Sequence, residues 1–190
     1  MRGFAMRIVP EHTLAIAIEY QEHLLPALED NASFLRNSKI LLAGLELLKV
    51  PVLVSRQYPQ GLGDTVAEIR AVTGKAEVFD KTAFSCYQDA AIKQTVDEFR
   101  RRKRETVILC GAEAHVCVLQ TALDLLAAGF KVAYVSDCAG SRKFNDKKFA
   151  LKRASFEGAA LTTYEAVLME LLAGAGHASF RDVSRLIKQR

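Results

Sequence analysis

Short apolar runs alternate along this chain with longer segments whose apolar residues recur at helical spacing, the pattern of a parallel sheet with crossover helices. Leu14 to Ile18 reads as the first buried strand, and Pro51 to Ser55 as the second, its proline at the start where no ladder donor is needed. Glu77 to Asp80 reads as a short third strand, Thr106 to Cys110 as the fourth, Lys131 to Val135 as the fifth and Ala160 to Thr163 as the sixth. Between them, Asn37 to Lys49 is helical through Ile40, Leu41, Leu45 and Leu48, and Gln88 to Arg102 through Ile92, Val96 and Phe99. His115 to Ala128 is helical through Val118, Leu119, Ala122, Leu125 and Leu126, with Gly129 placed as a C-terminal cap. A further helix precedes the sixth strand, another covers Tyr164 to Leu172, and a short last one covers Ser179 to Gln189. The expected fold is a three-layer α/β/α, Rossmann-like architecture with a mostly parallel six-stranded sheet. It is expected as one domain over 1–190, with a helical tail over 179–190 packed on the domain or on a partner subunit.

Composition removes several classes. Hydrophobic residues make up 50% and charged residues 25%, which excludes intrinsic disorder. No apolar run approaches the ~18–20 residues that span a bilayer, so no membrane partner is expected. Arg2 and Arg7 are followed by Glu11 and His12 before any apolar stretch, which argues against a secretory signal. The four cysteines, Cys86, Cys110, Cys117 and Cys138, form no CxxC pair, pointing to a reducing, cytoplasmic setting. The run Arg100 to Arg104 exceeds by itself the net charge of +4, so the excess is local. It closes a helix, where cations complement the dipole, and lacks interleaved aromatics for base stacking. Arg142 to Arg153 is a second basic stretch opposed only by Asp146, read as a solvated helix face. No nucleic-acid partner is expected.

Open parallel sheets place ligands at the carboxyl ends of their strands. The residues just after strands one, three and four are Glu19, Lys81 and the segment Gly111 to Cys117: an acid, an amine and a thiol on one edge. A thiol at a helix N-terminus feels the positive end of the macrodipole, and a nearby lysine would lower its pKa further. An acid within reach could take the thiol proton and return it to a leaving group. Each residue alone also has an ordinary reading: a packed thiol, a surface lysine, a helix-end carboxylate.

The segment Gly111-Ala-Glu-Ala-His-Val-Cys-Val-Leu-Gln-Thr-Ala-Leu-Asp124, followed by Ser136-Asp-Cys-Ala-Gly-Ser-Arg142, resembles the nucleophile region of the isochorismatase-like cysteine hydrolases. Lys81-Thr-Ala-Phe-Ser-Cys86 resembles that family's lysine motif, and Ile16-Ala-Ile-Glu-Tyr-Gln21 its first-strand motif. The resemblance implies a catalytic triad of acid, lysine and cysteine at Glu19, Lys81 and Cys117. Glu19 departs from the family's aspartate by one methylene, so catalysis and a catalytically impaired protein with an interaction or regulatory role both stay open. The resemblance also implies an oxyanion site made of the backbone N–H groups of Glu113 and Cys117, around a cis peptide at Ala112–Glu113. Tyr58, Phe84 and His115 are the candidate substrate contacts.

Nicotinamidases of this superfamily carry an Asp-x-His segment and a further histidine after strand two. Here the stretch Ser55 to Asp64 has no histidine, and His12, His23, His115 and His177 are scattered. No metal and no cofactor are expected. The stretch Gln57-Tyr-Pro-Gln-Gly-Leu-Gly63 instead resembles the isochorismatase domain-containing branch. The implied activity is cysteine-dependent hydrolysis of a small amide-type or related electrophilic substrate, by a homo-oligomer.

Overall fold

The computed structural model describes residues 6–188. Arg2 and the last residues of the expected tail, Gln189 and Arg190, lie outside the described residues. The strands are β1 (Thr13–Ile18), β2 (Val52–Gln57), β3 (Glu77–Lys81), β4 (Thr106–Ala112), β5 (Lys131–Gly140) and β6 (Ala160–Thr162). They form one six-stranded sheet in the order β3-β2-β1-β4-β5-β6, with every neighbouring pair parallel. The helices are α1 (Asn31–Leu47), α2 (Pro59–Leu62), α3 (Ala67–Thr73), α4 (Ala90–Arg101), α5 (Leu119–Ala127), α6 (Phe144–Phe156), α7 (Tyr164–Leu172) and α8 (Phe180–Ile187).

β1 is buried along its whole length, which is why it reads as an unbroken apolar run. Leu14, Ile16 and Ile18 face a core shared with α4, α5 and α6. Ala15 and Ala17 face the opposite core, shared with α1, α3, α7 and α8. Each fully buried Leu or Ile in these two layers contributes ~1.5–3 kcal/mol. α8 presses Val183 and Ile187 into the second layer, so the described part of the tail packs on its own chain.

Four departures from the sequence expectation lie outside the β4–α5 connection, each with a local reason. α1 begins at Asn31, not Asn37, because Phe34 is buried and stacks on Tyr20 with ring centroids 5.1 Å apart. β5 continues beyond Val135 to Gly140: the polar Ser136 and Asp137 are satisfied there by the Thr162 carbonyl at 2.9 Å and the Tyr164 amide at 2.9 Å. α3, which crosses between β2 and β3, gave little apolar signal and buries only Ile69. The fourth departure is the run Arg100 to Arg104, which is not simply a solvated helix end. Arg100 donates to the Ala128 carbonyl at 2.7 Å and lies 4.7 Å over the Phe130 ring, while Arg104 donates to the Pro10 and Thr13 carbonyls.

The connection that matters most lies between β4 and α5. Gly111 has φ +127, and a Cβ there would stand 2.0 Å from the Ile18 carbonyl oxygen. Only glycine lets the end of β4 approach the end of β1 this closely. The peptide Ala112–Glu113 is cis, and a single π-helical turn, Ala114–Val118, then leads into α5. Cys117 therefore sits in a wide turn ahead of the α-helix, rather than on the regular helix expected from His115 to Ala128.

Candidate active site

The sheet order puts the carboxyl ends of β3, β2, β1, β4 and β5 side by side, on both sides of the point where the strand order reverses. Read across that edge, the chain presents Lys81, Gln57, Glu19, the Glu113–Cys117 turn, and then Ser141 and Arg142. Glu19 directly follows β1 with φ +54, its amide bonded to the Ser55 carbonyl at 3.0 Å. The left-handed turn of the backbone ends the strand and directs the chain across the sheet edge.

Lys81 and Glu19 form a buried ion pair, Nζ to Oε1 2.6 Å, with side-chain exposures of 0% and 3%. The ammonium also donates to Gln57 Oε1 at 2.7 Å and to the carbonyls of Ala83 and Phe84 at 2.9 and 3.0 Å. Gln57 is itself fixed, its Nε2 donating to the Thr82 carbonyl at 2.8 Å and its amide to Gln21 Oε1 at 2.7 Å. Gln21, fully buried, returns two bonds from its Nε2, to the carbonyls of Gln57 at 3.0 Å and Gly63 at 2.8 Å. Neither glutamine was given a role from sequence, although both lie in motifs quoted there; Gln57 ends β2, and Gln21 lies three residues beyond β1 on the same sheet edge.

Cys117 is 4% exposed. Its thiol is coupled electrostatically to Glu19 and to Lys81. Burial nevertheless dominates: it pushes the thiol far above its ordinary pKa, and the Glu19 charge adds to that rise more than Lys81 offsets it. The expected depression by a helix terminus and a lysine is therefore overturned. The lysine's charge is matched by Glu19, and Cys117 belongs to the buried apolar layer that also holds Leu109, Val118 and Cys86. Glu19 too is raised above the usual carboxylate range, by burial first, with Lys81 opposing. Burial thus favours the protonated form of both the thiol and the carboxyl group.

The turn around the thiol is tied on several sides. The amides of Val116 and Val118 donate to the Glu113 carbonyl at 3.1 and 3.2 Å, and Tyr134 Oη donates to the Ala114 carbonyl at 2.7 Å. Thr121 Oγ1 donates to the Cys117 carbonyl at 2.7 Å and accepts from the Cys86 amide at 2.9 Å, joining the loop after β3 to the thiol turn. The Glu113 side chain, 8% exposed, is held by Arg142 Nε at 3.0 and 2.9 Å and by the Arg142 amide at 3.3 Å. The cis peptide stands at Ala112–Glu113, the position the motif implied.

The candidate substrate contacts fall at two sides of this site. Tyr58 and Phe84 are exposed by 56% and 54%, one directly after Gln57 and the other lending its carbonyl to Lys81. His115 turns its Nδ1 to Ser141 Oγ at 3.1 Å, with Asp146 3.9 Å from its Nε2. Among the described residues no group of three or more His, Cys, Asp or Glu could hold a metal ion. No helix among them is long and apolar enough to cross a membrane.

Comparison with known proteins places this geometry in context. The model of the isochorismatase domain matches residues 13–166. Isochorismatase domain-containing protein 1 of Salmo salar is 39% identical over 181 residues, covering 95% of this chain, while the chain spans 62% of that relative's length. The structure of the MAR1 ribonuclease of Caenorhabditis elegans superimposes with a TM-score of 0.90 at 36% identity, covering 96% of this chain and 93% of that one. The YcaC gene product of Escherichia coli, described as an octameric hydrolase of unknown specificity, has a TM-score of 0.86 at 21% identity, covering 98% and 97% of the two chains.

Proposed function

The chain belongs to the isochorismatase family, and on that footing we propose that it is a cysteine-dependent hydrolase of a small substrate with an amide-type or related electrophilic carbon. The observation that carries this reading is the buried Glu19–Lys81 pair, 2.6 Å apart and coupled through Glu19 to the Cys117 thiol. Cys117 Sγ attacks the carbonyl carbon while its proton passes to Glu19, and the carbonyl oxygen becomes an oxyanion facing the amides of Glu113 and Cys117. Collapse breaks the carbon–nitrogen bond, and Glu19 returns the proton to the departing amine. Water then attacks the thioester, giving a proton to Glu19, and the carboxylic acid leaves as Cys117 regains its hydrogen. Lys81 holds Glu19 in place and balances its charge. No pre-formed thiolate is required, because the base acts during attack. We further propose that the enzyme is a homo-oligomer, as the distant YcaC product is described to be.

The test is a screen of small amides against the wild-type chain, Cys117→Ala and Glu19→Gln. Loss of turnover in both variants is expected, on the order of 10³-fold or more for Cys117→Ala. Full turnover by Cys117→Ala refutes the assignment, and a Cys117 no more reactive in the folded protein than Cys110 favours an interaction role for the fold.

A second reading is RNA cleavage, favoured by the likeness to the worm MAR1 ribonuclease and by the basic stretch Arg142 to Arg153. A thiol is poorly matched to phosphodiester transfer, so this reading would make Glu19 the base and Cys117 dispensable. It predicts RNA affinity that falls steeply with salt and cleavage that survives Cys117→Ala; absence of either ends it.

A further inference from the structure

The Lys81 ammonium has three hydrogens and four oxygen neighbours within 2.6–3.0 Å. Its donors are consumed by Glu19, Gln57 and two carbonyls, leaving none for the sulfur. Lys81 therefore acts on Cys117 through space and through Glu19, and whatever fixes the ammonium fixes the carboxyl group that meets the thiol. Of the four neighbours, two are backbone and one is Glu19 itself. Gln57 is the remaining side chain.

The amide of Gln57 has its orientation forced. Its Nε2 is committed to the Thr82 carbonyl at 2.8 Å, so Oε1 faces the ammonium; a flip would set NH₂ against NH₃⁺ and oxygen against oxygen. Its backbone is clamped by Gln21, which closes a two-way pair of bonds with the Gln57 amide and carbonyl at 2.7 and 3.0 Å. Gln21 lies two residues after Glu19, so the same short segment carries the acid and, through Gln57, the anchor of the acid's counter-ion. We infer that Gln57, clamped by Gln21, is a positioning residue for the reaction: it seats the Lys81 ammonium so that the carboxyl group of Glu19 is presented to the Cys117 thiol in the orientation that accepts its proton.

A neutral oxygen suits this role better than a charged one. It stabilises the ammonium without competing with Glu19 for the lysine's charge. A carboxylate at position 57 would draw Lys81 off Glu19 and set a like charge nearby, and both effects raise the pH at which Glu19 becomes a base. A shorter amide would leave the ammonium unseated without adding charge.

The inference rests on the reading of Glu19 as the base, and the experiment separates the two. The probe is iodoacetamide, with the alkylation of Cys117 in the intact folded chain followed by peptide mass spectrometry from pH 4 to 10. The wild-type rate is expected to rise through an acid limb set by Glu19, and Glu19→Gln removes that limb. Gln57→Glu is expected to move the limb upward by about one pH unit, and Gln57→Asn to lower the plateau about tenfold with a smaller limb shift, a misplacement effect of the kind tight geometry imposes. Gln21→Glu, which keeps the acceptor but loses the donors to Gln57 and Gly63, is expected to lie between. A purely structural role would lower melting temperature and leave the limb in place. If Glu19→Gln abolishes the limb while both Gln57 variants keep it within about 0.2 unit and the plateau within about twofold, the inference is overturned and Glu19 stands. If Glu19→Gln leaves the limb untouched, the base assignment itself fails. Should Gln57→Asn not fold, the limb of the near-isosteric Gln57→Glu decides the matter.

Discussion

Gly111→Ala tests whether the approach of β4 to β1 organises the site. A Cβ there would stand 2.0 Å from the Ile18 oxygen and 2.7 Å from the Ile18 carbonyl carbon and nitrogen, all backbone atoms that no rotamer change can move. Reaching an ordinary contact requires the two strand ends to part by about 1.4 Å, and a displacement on the ~1 Å scale costs on the order of 10²-fold when it falls on catalytic groups. It falls here on the groups proposed to be catalytic, because Ile18 precedes Glu19 and Gly111 lies just before the Ala112–Glu113 peptide. The overpacking costs ~1–3 kcal/mol and the left-handed φ of +127 a further ~1–3 kcal/mol. At ~2–4 °C per kcal/mol for a chain of this size, the melting temperature should fall by about 4–24 °C. Gly158 and Gly44 supply the controls. Gly158 shares a left-handed φ of +109 but has nothing within 4 Å, so Gly158→Ala carries backbone strain alone. The three atoms nearest a Cβ at Gly44 all belong to the flexible Leu168 side chain, the first at 2.5 Å, so Gly44→Ala should cost less than the Gly111 change. Circular-dichroism melts and Cys117 alkylation on the three variants check the series. A Gly111→Ala melt within about 2 °C of wild type, with alkylation within about twofold, refutes the reasoning.

Removing the counter-charge with Lys81→Met takes away the main opposition to burial at Glu19, so the acid limb of Cys117 alkylation should move to higher pH and the rate at pH 7 should fall; an unchanged limb contradicts the pairing. The sign carries into stability. Because the folded carboxyl group already holds its proton more tightly than the unfolded one, Glu19's contribution is full below the unfolded value of ~4.3 and is lost as pH rises through the folded value. Lys81→Met should extend that decline to higher pH, which denaturant titrations across pH 4–8 measure. Thr121→Val strands the buried Cys86 amide, at a cost of ~1–3 kcal/mol in denaturant unfolding; no change in midpoint would show that the amide finds another partner. Arg142→Met leaves the Glu113 carboxylate, 8% exposed, with only the 3.3 Å bond from the residue-142 amide, and should lower the melt by several degrees, partly restored by Arg142→Lys.

The sheet was legible because buried parallel strands announce themselves as apolar runs, and β1, β2 and β4 were placed within two residues or so of their observed ends. What escaped were elements whose polar atoms are satisfied by other parts of the fold. Ser136 and Asp137 read as loop because their partners, Thr162 and Tyr164, come from a distant segment. α3 buries one residue, too little for a periodic signal. The site was legible as a set of positions, since Glu19, Lys81 and Cys117 each follow a strand end and the sheet order brings them together. Their protonation was not. A dipole and a lysine argue for thiolate, but desolvation by the apolar layer around the sulfur, with the Glu19 charge added, is the larger effect. Burial is a property of packing that spacing does not report.

The same burial explains how a glutamate can stand where the motif carries aspartate. A carboxyl group reaching across the end of β1 must be held on the lysine side to remain a base, and held near the sulfur to be of use. With φ +54 the backbone at Glu19 turns off the strand, and from there the glutamate side chain reaches an ammonium 2.6 Å away. Glu19→Asp removes one methylene: from this backbone the shorter side chain falls short of Lys81 by roughly the ~1 Å scale on which catalytic placement is decided. The aspartate variant is therefore expected to alkylate Cys117 at least about tenfold more slowly than wild type at pH 7. A faster aspartate variant would mean that the glutamate is a poorly seated stand-in, and that the surrounding glutamines are not built around its length.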